Sequence, residues 1–154
     1  MTPEADRRRG ATLVALLLAL GSAPAAGAAD ARLGEKIFRE GVNARGEPIR
    51  ALVGLPPAPL TGEQAACAAC HTLDADAAPG AAPGLRWESL AAGAQAKGAR
   101  APYGEAAFAR AVSEGIAPDG GQLSTAMPRY ALSRSEIAAL AAFLKSPPAA
   151  KKSE

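Results

Sequence analysis

The run Cys67-Ala68-Ala69-Cys70-His71 constrains this chain more than any other stretch, because it holds both cysteines and the only histidine among 154 residues. Apart from methionine, the sequence offers no other soft or imidazole metal ligand. A C-x-x-C-H run is the pattern of covalent haem attachment. Residues three apart share one face of a helical turn, so two thiols at that spacing can both reach one edge of a porphyrin. The next residue can then turn its imidazole toward the iron. The run predicts thioether bonds from Cys67 and Cys70 with His71 as proximal ligand, while Ala68 and Ala69 keep the backbone close to the ring.

Two other readings of the cysteines carry less. A redox disulfide of the C-x-x-C kind needs a strand feeding a helix, and the flanks lack that pattern. Zinc usually wants four ligands, or three and a water, and the adjacent Cys70 and His71 do not easily turn toward one tetrahedral ion together with Cys67.

Upstream, Arg7-Arg8-Arg9 precedes an uncharged run over 11–29, with an apolar centre at 13–20 and small residues Ala26-Gly27-Ala28-Ala29 at its end. That order predicts a signal peptide over 1–29, cleaved near residue 29. Gly21, Ser22, Pro24 and Gly27 weaken the run as a spanning helix, so membrane association is expected only if the leader is retained as an anchor. No cysteine lies near the cut, which argues against a lipoprotein, and the arginines lack the flanking residues of twin-arginine export. Residues 30–146 are expected to form one domain, with 147–154 a disordered tail. The chain carries 17 Lys and Arg against 15 Asp and Glu, and three of the basic residues sit in the leader. The rest is close to neutral and has no basic stripe with interleaved aromatics, so no nucleic-acid partner is expected.

Periodicity predicts a first helix over 30–40, capped by Asp30 and burying Leu33, Ile37 and Phe38. A long irregular excursion follows, broken by Gly46, Pro48, Gly54, Pro56, Pro57, Pro59 and Gly62, with room for one small hairpin. A helix over 63–71 is expected to carry the attachment run, with Glu63 at its positive end. Residues 72–102 read as loop. A proximal imidazole usually donates its second N–H to a carbonyl, for which Pro83 is the candidate and Pro79 the second choice. Trp87 is expected near the cofactor, either bonding a propionate or packing on the ring. A third helix spans 103–114 with Gly115 as its stop. The last helix starts from a Ser133/Glu136 capping box, repeats Ile137, Leu140, Ala141 and Leu144 on one face, and ends at Pro147-Pro148.

The sixth position of the iron separates the functional classes. An open site suits gas binding or peroxide chemistry, whereas a closed one suits electron transfer. No second histidine exists, and Met1 departs with the leader, which leaves Met127 as the thioether candidate. It stands between two predicted helices, beside the stiffening Pro128. A gap-filling role for Met127, ligation by a lysine such as Lys97, and an open site are the alternatives.

With the Cys67-to-His71 run, the Met127-Pro128-Arg129-Tyr130 segment, and terminal helices bearing Gly34, Phe38 and Phe143, the sequence over 31–146 resembles the class I c-type cytochromes, in particular small bacterial periplasmic monohaem members. The resemblance implies an all-α cytochrome c fold wrapped on one covalently attached haem c, with the long irregular excursion before the attachment helix as a departure. It implies periplasmic electron transfer by Fe(II)/Fe(III) cycling rather than enzymatic turnover, as a free carrier or as a subunit serving dehydrogenase or oxidase partners. Apolar Ala66, Ala68 and Leu85 would form the docking face. A haem enzyme or gas-binding sensor with a labile sixth ligand, using Arg129 as distal donor, is the rival reading.

Only one Trp, two Tyr and three Phe are available for a core. A buried porphyrin would supply the missing apolar surface, worth roughly 25 cal/mol per Å². The chain expressed without haem attachment is therefore expected to be largely unfolded; a well-folded helical far-UV circular dichroism spectrum of that apoprotein would contradict this.

Overall fold

The computed structural model describes residues 26–74, 82–95, 98–99 and 101–146. Most of the predicted leader, the tail over 147–154, Pro79 and Lys97 lie outside the described residues. Helix α1 spans Ala26–Glu40, α2 Trp87–Ala91, α3 Glu105–Glu114 and α4 Arg134–Lys145. Among the described residues five short strands accompany them: β1 Arg50–Val53, β2 Ala58–Thr61, β3 Ala94–Gln95, β4 Gly98–Ala99 and β5 Arg129–Tyr130. The fold is helix-rich rather than purely helical, which corrects the all-α expectation.

The terminal helices make the principal packing contact. Ile37 and Phe38 on α1 and Ile137, Leu140 and Leu144 on α4 are buried, as their helical spacing requires. Gly34 lets the two backbones meet: a Cβ there would lie 2.0 Å from the Ala139 carbonyl oxygen and 2.7 Å from Phe143 Cβ. Phe38 and Phe143 complete the contact with ring centroids 5.4 Å apart, a separation typical of attractive aromatic pairs. Helix α1 begins at Ala26, so Asp30 is an exposed interior residue and not the cap predicted for it.

Helix α4 starts where the capping box places it. The Ser133 hydroxyl accepts the Glu136 N–H at 3.3 Å, and the Glu136 carboxylate accepts the Ser133 N–H at 2.8 Å. Glu136 also accepts the Ala44 N–H at 3.4 Å, tying the excursion to the helix.

Within the excursion, β1 and β2 form an antiparallel hairpin, with Ala51 opposite Leu60 and Leu52 opposite Pro59. The third strand of the sheet is β5, which pairs Tyr130 with Ala51 and Arg129 with Leu52. Two residues carry too little alternation to announce a strand; β5 exists because β1 lies beside it. The predicted attachment helix is instead two 3-10 turns, Gly62–Ala65 and Cys67–Ala69, separated by Ala66 in an extended conformation. Such a short segment does not nucleate an α-helix by itself, and burial of Ala65 and Cys67 holds it. The stretch read as loop over 72–102 contains α2, anchored by the buried Leu90.

Gly34→Ala in the haem-loaded protein is expected to cost about 1–3 kcal/mol, because the helices must separate or bend to admit the methyl group; the denaturant midpoint measures it. Burial of Glu136 favours its neutral form, but hydrogen bonds from the Ser133 side chain and from the Ser133 and Ala44 N–H groups outweigh it and lower the pKa. The contribution is full above the ordinary carboxylate pKa and lost as pH falls through the lowered value. The destabilisation caused by Glu136→Gln should therefore be larger at pH 7 than at pH 3 in chemical denaturation.

Candidate haem site

The attachment run lies between α1 and a cavity of about 720 Å³, and Cys67, Cys70, His71 and Met127 all line that cavity. Its volume falls within the range of about 300–1,000 Å³ usual for cofactor and ligand sites. Much of the wall is apolar, with Leu85, Leu90, Phe108, Val112 and Leu140 contributed by three helices and the loop before α2. A recess of similar volume between the excursion and α4 is bordered by Arg45, Glu47, Arg50 and Glu136, and has no cysteine or histidine in its wall.

The 3-10 turn displays the attachment residues. The His71 and Cys70 N–H groups both donate to the Cys67 carbonyl, at 2.9 and 3.2 Å. Cys67 is buried and Cys70 exposed, so one thiol sits deep in the cavity and the other near its mouth. Burial raises the Cys67 pKa to about 11. Tyr130 lines the same cavity, and burial likewise pushes its phenol above the ordinary range. Both groups are thus neutral at pH 7, and neither places a charge in the cavity.

His71 Nδ1 lies 2.7 Å from the Pro83 carbonyl oxygen. A carbonyl only accepts, so Nδ1 carries the proton and Nε2 is the nitrogen with a free lone pair. The Pro83 carbonyl is itself held by its surroundings. Leu85 N–H donates to Thr72 O at 3.0 Å and Arg86 N–H to Leu73 O at 3.1 Å. The Arg86 guanidinium grips Asp74 Oδ1 through Nη2 at 2.7 Å and Nε at 3.0 Å. No sequence signal marked this clamp, whose two sides are joined by a Pro/Gly-rich segment.

Met127 is half-buried and ends a turn closed by its own N–H on Ser124 O at 3.0 Å. Its carbonyl accepts a hydrogen bond from the Arg129 guanidinium. Pro128, buried beside it, also lines the cavity. Arg129 does not contribute to the cavity wall, whereas Tyr130 does. The sequence placed Tyr130 only in the Met127-Pro128-Arg129-Tyr130 segment and gave it no part in the site, although an aromatic residue so close to the Met-Pro pair was the available sign.

Trp87 requires a correction. It is absent from the cavity wall and meets Phe108 edge-on from behind, with centroids 5.7 Å apart. Its other neighbour is Lys145, whose ammonium stands 4.5 Å from the ring centroid. Lys145 also pairs with Glu105. Trp87 thus braces Phe108 and helps join α2, α3 and α4. Ala66 is buried, unlike Ala68, and so is not available for the docking face expected of it.

The residues present fit a haem. Two thiols, an imidazole with its tautomer set by a carbonyl, and a thioether converge on one largely apolar cavity, a donor set suited to iron in a porphyrin. Fold and site together define a haem-binding electron-transfer protein. Residues 62–147 match the family model described as Cytochrome c, and the chain belongs to the cytochrome c family. No curated protein and no solved structure matches the chain.

Proposed function

We propose that this chain is an exported monohaem cytochrome c that carries single electrons, with Cys67 and Cys70 as the two thioether anchors and His71 and Met127 as axial ligands. The observation that carries this reading is the presence of His71 and Met127 on the wall of one cavity, each on a segment tied down by backbone hydrogen bonds. When bound, the haem iron supplies a one-electron Fe(II)/Fe(III) couple. His71 would contribute Nε2, with the ring aimed by the Nδ1–H to Pro83 bond. Met127 contributes a neutral, polarisable sulfur, which favours Fe(II) over Fe(III) and raises the potential relative to a second imidazole. The apolar wall built by Leu90, Phe108, Val112 and Leu140 excludes water, and the neutral Tyr130 hydroxyl adds a dipole rather than a charge.

Export to the periplasm is supported by the order of basic, apolar and small residues over 1–29. Among the described residues no helix is long and apolar enough to cross a membrane. A redox partner protein, a dehydrogenase or an oxidase, would approach the mouth of the cavity, where Ala68, Ala69, Cys70 and Pro83 are exposed. The rival reading, an enzyme or gas sensor, relies on Arg129 as a distal donor. That guanidinium is instead engaged with the carbonyls of Met127 and Leu123, which favours the carrier.

Met127→Ala is expected to abolish the near-infrared sulfur-to-iron charge-transfer band of the oxidised protein and to open the ferrous form to carbon monoxide. Persistence of the band in the variant would remove Met127 from the coordination sphere.

A further inference from the structure

We propose that Arg129 is a positioning residue that latches the Met127 loop and so sets how often the thioether leaves the iron. Its guanidinium reaches back along the chain to donate to Met127 O, to Leu123 O at 3.1 Å and, at the limit of bonding, to Ser124 O at 3.5 Å. The carbonyls at both ends of the segment 123–127 therefore hang from one planar, permanently charged group. A fork of N–H donors in fixed geometry can do this; a lysine ammonium offers compact, freely rotating donors and holds the same carbonyls less rigidly.

The space for this fork is reserved by Gly115. That residue ends α3 with φ at 72°, and a Cβ on it would stand 1.8 Å from both Nε and Cζ of Arg129. Gly115 O also accepts the Leu123 N–H at 2.8 Å, so the far end of the segment is bonded to the end of α3 as well as to Arg129. Meanwhile Arg129 is itself fixed as a member of β5, opposite Leu52 of β1. The guanidinium thus joins three structures: the sheet, the end of α3 and the segment bearing Met127. It lies behind the loop, outside the cavity wall, and acts on the iron site only through Met127.

The inference rests on Met127 being the sixth ligand. An external ligand can bind the iron only while that position is vacant, so its binding rate at saturating concentration reports the opening rate of the loop. Imidazole binding to the full-length, haem-loaded ferric protein is the experiment, with the near-infrared band recorded in parallel. Arg129→Ala is expected to raise the saturating rate about tenfold or more, since hydrogen bonds to a charged group are among the stronger ones. Arg129→Lys is expected to fall between wild type and Arg129→Ala, and serves alone should the alanine variant not accumulate folded. Ser133→Ala, which weakens the cap of α4 outside the loop, should lower the denaturation midpoint without changing this rate. The proposal is overturned if both Arg129 variants keep the wild-type rate, or if Ser133→Ala raises it as much as they do. A wild-type protein that lacks the band and binds imidazole without saturation would defeat the Met127 reading and the latch together. A wild-type band with unchanged rates in the Arg129 variants would defeat the latch alone.

Discussion

Irregular backbone has to hold still the two side chains proposed to ligate the iron, and much of this structure bears on that requirement. His71 lies just past a 3-10 turn and Met127 at the end of a loop, so neither borrows rigidity from a helix. Carbonyl groups supply it instead. Pro83 O accepts from the imidazole at 2.7 Å, and the Met127 and Leu123 carbonyls accept from Arg129. Each of these acceptors is flanked by backbone pairs that fix its own position, such as Leu85 to Thr72 and Leu123 to Gly115. For a one-electron carrier this arrangement has a clear advantage, since ligands that do not move between oxidation states keep the reorganisation accompanying transfer small.

The frame around these loops is the crossing of α1 and α4. Gly34 brings the helix backbones together so closely that no side chain fits between them, and Phe38 and Phe143 fill the space alongside. Helix α1 lies before the stretch that matches the family model, yet Ile37 and Phe38 belong to the same core as Leu140, Leu144 and the buried Cys67. Packing of the first helix and placement of the attachment run are therefore parts of one hydrophobic cluster. On the other side, α3 and the short α2 contribute Phe108, Val112 and Leu90. Trp87 and Lys145 stand behind Phe108 and steady it from outside the cavity.

The excursion between α1 and the attachment run serves the Met127 side of the site. Its hairpin recruits β5, the two residues that follow Pro128. Gly54 N–H also donates to Thr125 O at 2.9 Å. A segment that interrupts the helical plan thus braces the loop carrying Met127 from outside, much as Arg129 does from behind.

Helices α1, α3 and α4 were legible because each displays enough turns for a 3.6-residue period and a stop or cap to stand out: Gly115 after α3, and Ser133 with Glu136 before α4. The donor set of the candidate site was legible for a different reason. With one histidine, two cysteines and one methionine beyond Met1, the choice of soft and imidazole donors is determined by composition alone. Elements too short to show a period were not legible. The two 3-10 turns, α2 and β5 take their conformation from what they pack against, since a few residues do not fix a helix or a strand by themselves. Trp87 illustrates the same limit, because its residue type suited the cofactor, but only the tertiary structure set Phe108 between it and the cavity. Donor identity is a local property, written residue by residue, whereas the grip on those donors by Pro83, Asp74 with Arg86, and Arg129 depends on contacts between segments that only the folded chain brings together.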